Sequence, residues 1–122
     1  MNKNVKIGIV GLGYVGLPLA IEFGNHFKTI GFDKSKSRIK ELLNGFDRTL
    51  EVPKKKLSSL NNLILTSDEN LLKNCNTFII TVPTPVDKSN KPDLSPLISA
   101  TERIATFIKK NDVIIYESTV FP

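Results

Sequence analysis

The sequence predicts an α/β domain built on a doubly wound parallel sheet, on three observations. Short apolar segments alternate with helical segments along the 122 residues. These apolar segments are hydrophobic throughout rather than at every second position, which is typical of parallel strands buried on both faces. A glycine-rich turn joins the first apolar segment to the first helix. Right-handed crossovers then give the expected strand order 3-2-1-4-5, and the chain is expected to stop before a sixth strand.

Each element follows from its local pattern. Runs rich in β-branched and apolar residues predict five strands, at Val5–Val10, Thr29–Phe32, Leu63–Thr66, Thr77–Val82 and Val113–Tyr116. Helices are predicted from Tyr14 to Phe23, from a cap at Ser35 or Ser37 to Leu43, in a short stretch opened by Ser67–Glu69, and from a cap at Asp93 or Ser95 to about Lys109. One or two helical turns are expected over 54–60, and three prolines make 83–92 a loop.

Residues 11–16 read Gly-Leu-Gly-Tyr-Val-Gly, the G-x-G-x-x-G spacing of a dinucleotide-binding turn. The motif follows a predicted strand and opens a predicted helix, so its context fits. Gly11 permits the tight turn, Gly13 lets a pyrophosphate approach the backbone, and Gly16 lets the helix pack closely on the sheet. The free N–H groups of Tyr14 and Val15 are expected to face the phosphates. The sequence therefore predicts a Rossmann domain.

Asp33 ends the second strand, about 20 residues beyond the glycines, where such domains bind the adenosine ribose. A carboxylate there repels the 2′-phosphate of NADP, so NAD is the expected cofactor, with a plain helix cap as the alternative role for Asp33. Lys34 and Lys36 are close in sequence and soften the exclusion of NADP. Arg38 lies against the adenine or ribose, or is solvated.

Two more motifs close strands at the carboxyl edge of the sheet, where α/β sheets bind ligands. Thr81-Val-Pro-Thr-Pro85 follows the fourth strand, and Glu117-Ser-Thr-Val-Phe-Pro122 follows the fifth. Thr84 and Thr119 offer hydroxyls to the cofactor crevice. By pattern alone, both segments are equally well explained as rigid loops.

Composition narrows the function classes. The net charge of +5 comes from scattered lysines and indicates a solvated basic surface or attraction of a polyanionic small ligand. Nucleic-acid binding is not expected, because no arginine-rich or aromatic motif accompanies the charge. The glycine-interrupted run from Ile7 to Ile21 fits neither a signal peptide nor a membrane span. The single cysteine, Cys75, excludes an internal disulfide and fits a reducing, cytoplasmic location. His26 is expected at the surface, and no metal site is predicted.

The segments GLGYVGLPLA, TVPTP and ESTVFP, in this order and spacing, resemble the UDP-glucose/GDP-mannose dehydrogenase family over essentially the whole chain. With the stretch Asp47-Arg-Thr-Leu-Glu-Val52, the resemblance is strongest to bacterial enzymes that act on UDP-N-acetylhexosamines for surface polysaccharides. It implies that the cofactor-binding residues are Gly11, Gly13, Tyr14, Val15, Gly16, Asp33, Arg38, Thr84 and Thr119, the last two at the nicotinamide end.

The resemblance also implies an activity, the oxidation of a sugar C6 alcohol to a carboxylate by two NAD through a cysteine-bound intermediate, in an enzyme that is a homodimer or larger. The family's catalytic Cys, Lys and Asn follow the ESTVFP segment and are not among these residues, although Thr119 is a candidate accessory. Residues 1–122 are therefore expected to be an inactive NAD-binding piece that lacks the central helix and the UDP-sugar domain. The alternatives are the NAD domain of a hydroxyacid or 6-phosphogluconate-type dehydrogenase, and a dinucleotide-sensing module without enzymatic activity.

Overall fold

The computed structural model describes residues 4–48 and 62–117. They contain one five-stranded parallel sheet whose strand order, β3-β2-β1-β4-β5, is the predicted one. The strands are β1 (Lys6–Val10), β2 (Lys28–Phe32), β3 (Leu63–Thr66), β4 (Thr77–Ile80) and β5 (Val113–Tyr116). The helical turns predicted over 54–60 lie outside the described residues.

Within the described residues, three α-helices and one 3₁₀ helix connect the strands. They are α1 (Gly16–Gly24), α2 (Lys36–Leu43), the 3₁₀ helix (Glu69–Asn74) and α3 (Ser95–Ala105). The Ser35 hydroxyl accepts a hydrogen bond from the N–H of Arg38 at 3.2 Å and caps α2, which confirms one of the two predicted caps. The short helix expected after Ser67 is present and begins under a cap from Asp68.

Two boundaries near the glycine turn and the proline loop differ from expectation. Helix α1 begins at Gly16 rather than Tyr14, which leaves Pro18 in its first turn, where a missing N–H costs no helical hydrogen bond. Strand β4 ends at Ile80 rather than Val82. Its partner β1 ends at Val10, whose carbonyl accepts the N–H of Thr81 at 2.9 Å, and Pro83 has no N–H with which the pairing could continue.

Helix α3 is shorter than predicted and is capped differently. It ends at Ala105 rather than near Lys109, because Phe107 and Ile108 both donate their N–H groups to the carbonyl of Ile104 and tighten the last turn. Leu94 occupies the cap position, so the predicted caps at Asp93 and Ser95 are wrong. The Asp93 carboxylate instead accepts the N–H of Ser95 at 2.9 Å.

The sheet is covered on both faces by separate apolar clusters, as continuous hydrophobic strands require. The cluster under α1 and α2 includes Ile7, Ile9, Leu17, Leu42, Leu65 and Ile79. The cluster under the 3₁₀ helix and α3 includes Val10, Phe32, Leu72, Phe78, Ile80 and Ile104. Neighbouring residues of β1 and β4 alternate between the two clusters, so these central strands are fixed from both sides.

Strand β5 is different, because three of its four side chains are exposed. Within the described residues it pairs only with β4, at the edge of the sheet. Val113, Ile115 and Tyr116 are exposed by 49%, 39% and 49% although they are apolar or aromatic. Strand β5 is therefore the least buried of the five strands.

Candidate functional site

A cavity of about 630 Å³ opens at the carboxyl ends of the strands. It lies where the chain leaves β1 toward β2 on one side and β4 toward β5 on the other, the switch point at which α/β sheets bind ligands. Its walls are the glycine turn, the end of β2, the loop after β4 and one face of α3. Of the predicted site residues, the cavity is lined by Gly11, Gly13, Tyr14, Val15, Asp33 and Thr84.

Two glycines of the turn are required by the protein itself. Gly11 has φ of +106°, in the region that side chains with a Cβ rarely adopt, and its N–H donates to the carbonyl of Phe32 at 2.8 Å. A Cβ on Gly16 would collide with the carbonyl oxygen of Gly11 and with the hydroxyl of Thr81. Both roles agree with the sequence prediction of a tight turn and close helix packing.

Nothing in residues 4–48 and 62–117 requires a glycine at position 13. A Cβ atom built on it would have no heavy atom within 4 Å, and the residue is exposed at the mouth of the cavity. Helix α1 begins three residues later, at Gly16, and the N–H of Leu17 in its first turn donates to the Gly13 carbonyl at 3.1 Å. Among the described residues, the space in front of Gly13 is thus empty of protein, and it lies close in sequence to the positive end of a helix.

The Leu12 residue between these glycines is held from two sides. The carboxylate of Asp33 accepts its N–H at 3.0 Å, and the Nε of Arg38 donates to its carbonyl oxygen at 2.8 Å. The other Asp33 oxygen accepts the N–H of Ser35 at 2.9 Å. Asp33 is therefore more than a helix cap, because it links the glycine turn to the start of α2 while still lining the cavity.

Arg38 is buried behind the glycine turn, with 7% of its surface exposed. Its Nη1 donates to Glu41 at 2.6 Å, and its Nη2 lies 2.9 Å from Asp47 Oδ1 without a directed hydrogen bond. The solvated alternative for Arg38 is therefore wrong. The side chain is not among the residues that line the cavity, and it reaches the cavity wall through the Leu12 carbonyl.

Glu41 is the acceptor that joins Arg38 to a second arginine. Two nitrogens of the Arg48 side chain contact the Glu41 carboxylate. Nε donates to Oε2 at 2.8 Å, and Nη2 lies 2.7 Å from the same oxygen. The hydrogen bonds from Arg48, together with those from Arg38, lower the pKa of Glu41 from 4.5 to about 2 against the opposing effect of burial. The carboxylate is thus charged throughout the neutral and mildly acidic range.

This lowered pKa predicts an acid-sensitive contribution to stability. The folded pKa lies below the unfolded value, so the contribution of Glu41 is fully present above about pH 4.5 and is lost as the pH falls toward 2. We expect Glu41→Gln to lower the free energy of unfolding at neutral pH. The difference in this free energy between the variant and the unaltered chain should become smaller as the solution is acidified. Urea unfolding of both chains across this range measures the difference, and a constant gap would contradict the assignment.

Thr81 contributes to the site and was missed by sequence reasoning, which used the proline motif but not its first residue. Its hydroxyl donates to the carbonyl of Gly11 at 2.6 Å and is buried. The signal was available in the predicted strand order, because β4 lies beside β1 and the residue that follows β4 must face the start of the glycine turn.

Arg103 was missed as well. It lines the cavity, lies 5.3 Å over the ring of Phe32, and donates from Nη1 to Glu69 at 2.9 Å. Four cavity residues of α3 share one helix face, at positions 96, 99, 100 and 103. The i, i+3, i+4, i+7 spacing is the sequence signal for this face, although only the fold shows that it meets the end of β2.

The remaining residues named from the sequence lie in different environments. Thr84 is buried in the cavity wall, Glu117 lines the same cavity, and Thr119 lies outside the described residues. His26 is exposed beside Glu22, as expected for a surface residue. Cys75 is buried, and burial raises the pKa of its thiol to about 11, so it is an unreactive packing residue in the cluster under α3.

Residues 4–48 and 62–117 contain neither a metal site nor a membrane-spanning helix. No three His, Cys, Asp or Glu side chains come together there as a metal site requires. None of the helices in this part of the chain has the length and apolarity to span a membrane.

Comparison with known proteins agrees with this geometry. Residues 5–122 match the model of the UDP-glucose/GDP-mannose dehydrogenase family, NAD binding domain. The chain is 51% identical to the UDP-N-acetyl-D-glucosamine 6-dehydrogenase of Pseudomonas aeruginosa, over 98% of this chain and 28% of that protein. It is 53% identical to Protein CapL of Staphylococcus aureus, over 100% of this chain and 28% of that protein.

Solved structures give the same result. The structure of the UDP-D-ManNAc dehydrogenase from Pyrococcus horikoshii superimposes with a TM-score of 0.83 at 34% identity, over 97% of this chain and 29% of that one. The chain thus spans less than a third of the length of the proteins it resembles. The match over residues 5–122 and the Rossmann order of the sheet lead to one conclusion: the chain belongs to the UDP-glucose/GDP-mannose dehydrogenase family and corresponds to its NAD-binding domain.

Proposed function

We propose that these residues are the cofactor domain of an NAD-dependent nucleotide-sugar dehydrogenase, which oxidises the C6 hydroxyl of a UDP-sugar to a carboxylate with two NAD. The proposed substrate is a UDP-N-acetylhexosamine, because two relatives that are 51% identical over nearly the whole chain are UDP-N-acetyl-D-glucosamine 6-dehydrogenases. The family match favours this interpretation over a hydroxyacid dehydrogenase or a dinucleotide sensor.

The observation that carries the proposal is the open position at Gly13. This position is free of described protein atoms, and it lies in a cavity lined by Tyr14 and Val15, whose N–H groups are the donors that a pyrophosphate needs, and by Asp33, which is the acceptor that a ribose needs. A turn that served only to pack α1 on the sheet would need Gly11 and Gly16 but not Gly13. The residues present therefore fit a dinucleotide.

Each residue of the site then has a distinct role. The N–H groups of Tyr14 and Val15 bind the pyrophosphate, and Asp33 accepts hydrogen bonds from the adenosine ribose. Arg38 acts through the Leu12 carbonyl and keeps the turn in place, rather than by contact with the adenine or ribose. Thr84 and Thr119 border the nicotinamide end. The bound NAD supplies the hydride acceptor, which these residues orient toward the sugar.

The rest of the reaction is assigned to other parts of the protein. The relatives are more than three times as long as the matched segment, so we propose that the nucleophile, the groups that stabilise the oxyanion and most of the sugar site lie outside residues 1–122. We also propose that the whole enzyme is a cytoplasmic homodimer or larger oligomer. Nucleic acid, membrane and metal have no place in the proposed mechanism.

Two measurements test this proposal. Calorimetric titration of the 122-residue chain with NAD is expected to show binding, weaker than in the whole enzyme because any contacts from outside residues 1–122 are absent. The whole enzyme is expected to produce NADH from UDP-N-acetyl-D-glucosamine, whereas the 122-residue chain is not. Turnover by the 122-residue chain would place the catalytic group within these residues and contradict the division of roles.

Asp33 gives a further prediction about cofactor choice. We expect Asp33→Ala to weaken NAD binding about tenfold or more, the value of one good hydrogen bond to a charged acceptor, roughly 1.5–3 kcal/mol. The same change is expected to narrow the gap between NAD and NADP, since the repulsion of the 2′-phosphate is lost. Calorimetry with both cofactors measures this. Equal affinities for NAD and NADP in the unaltered chain would refute the role of Asp33.

A further inference from the structure

Four charged side chains form a connected group directly behind the glycine turn. Arg38 lies between the carboxylates of Glu41 and Asp47, and Glu41 also pairs with Arg48. Burial falls off outward, because the Asp47 side chain is fully buried, those of Arg38 and Glu41 are 8% and 15% exposed, and that of Arg48 is 59% exposed. The two positive and two negative charges cancel.

This charged group lies next to the place proposed for the adenosine ribose. Arg38 and Asp33 contact the two polar backbone atoms of a single residue, Leu12, so the guanidinium lies immediately behind the place proposed for the adenosine ribose. An arginine near this ribose is the usual means by which Rossmann domains accept the 2′-phosphate of NADP. Here the Arg38 guanidinium points toward the protein, where the carboxylates of Glu41 and Asp47 neutralise its charge.

We propose that Glu41 is a specificity-determining positioning residue, which with Asp47 holds the Arg38 guanidinium against the glycine turn and withholds its charge from a 2′-phosphate. The inference rests on the proposed function, because it concerns the same cofactor site. In this arrangement two features disfavour NADP. Asp33 repels the 2′-phosphate, and the positive charge of Arg38 is neutralised by carboxylates and so cannot attract it.

The competing view is that Glu41 only stabilises the chain around residues 41–48. Arg48 separates the two views, because Glu41→Gln and Arg48→Gln both break the same ion pair. Loss of Glu41 leaves Arg38 with a single carboxylate and a partly uncompensated charge. Loss of Arg48 leaves both carboxylates on Arg38, so no positive charge becomes available. A purely structural role predicts effects in the same direction for both variants.

The experiment is a calorimetric titration of the unaltered 122-residue chain and its variants with NAD and with NADP, after circular dichroism has shown that each is folded. We expect Glu41→Gln to raise the affinity for NADP relative to NAD on the order of tenfold, the effect of about one uncompensated charge near the surface. Arg48→Gln is expected to leave this ratio unchanged or lower it. Glu22→Gln, which removes an exposed carboxylate from α1, controls for the change in total charge and is expected to have no effect.

Asp47→Asn provides an independent variant with the same expected direction as Glu41→Gln, should the latter not fold. A ratio that stays constant in the folded carboxylate variants, or rises equally in Arg48→Gln, would overturn the inference while NAD binding by the unaltered chain still upheld the proposed function. If the unaltered chain bound neither cofactor, both proposals would fail.

Discussion

Replacement of Gly13 by valine is expected to abolish NAD binding while the domain stays folded. A Cβ at this position meets no heavy atom of the described residues within 4 Å, so we expect the added side chain to extend into the space proposed for the pyrophosphate. Two charge-assisted hydrogen bonds from the N–H groups of Tyr14 and Val15 are then lost, each worth roughly 1.5–3 kcal/mol, which corresponds to a loss of affinity of about a hundredfold or more. Calorimetry with NAD measures the loss.

The same variant needs evidence that its structure is intact. Circular dichroism and thermal unfolding are expected to resemble those of the unaltered chain, because no contact of the protein is disturbed. Gly13→Ala is a milder version that is expected to bind NAD at an intermediate level. A folded Gly13→Val chain that bound NAD with unaltered affinity would show that the cofactor lies elsewhere.

Replacement of Gly16 by alanine is expected to have the opposite character, a loss of stability rather than of a ligand contact. The added Cβ would overlap the carbonyl oxygen of Gly11, a backbone atom that cannot move without displacing the turn and the start of α1. We expect a decrease in the free energy of unfolding of about 3 kcal/mol or more, at the upper end of what overpacking costs. Urea unfolding measures this decrease.

Gly13→Ala is also the matched control for this second experiment, since it adds the same methyl group three residues earlier, in open space. The two alanine variants should therefore differ sharply in stability. Equal stabilities would mean that α1 can move away from the sheet at little cost, and that the close packing of Gly16 is not what fixes the turn.

The parts of the fold that the sequence predicts correctly are those set by short-range patterns. Continuous apolar strands require cover on both faces, which indicates a parallel sheet, and right-handed crossovers between alternating strands and helices then give its order. The glycine spacing and Asp33 identify the turn because both depend on backbone geometry near the motif. Ser35 caps its helix through an atom three residues away, which is likewise local.

The features that sequence reasoning missed depend on contacts between distant segments. The burial of Arg38 requires Asp47, and that contact depends on how the chain turns back after α2. The contribution of Arg103 requires α3 to cross the end of β2, and its contact residue Glu69 is 34 positions away. No local pattern encodes such distances. Helix ends are also missed, as at Ala105, where the final hydrogen bonds rather than the apolar period decide the boundary.

The exposure of β5 implies that the two ends of the cavity differ in their dynamics. The glycine turn and Asp33 follow β1 and β2, which are paired on both sides and open only with much of the fold. Glu117 follows β5, whose apolar side chains are largely exposed, so this wall can open by local unfolding. In hydrogen exchange, the amides of β1 should report global unfolding and those of β5 local opening. A dinucleotide that spans the cavity would then meet a preorganised wall at its adenosine end and would itself order the wall at the other end, where protection of β5 should increase most.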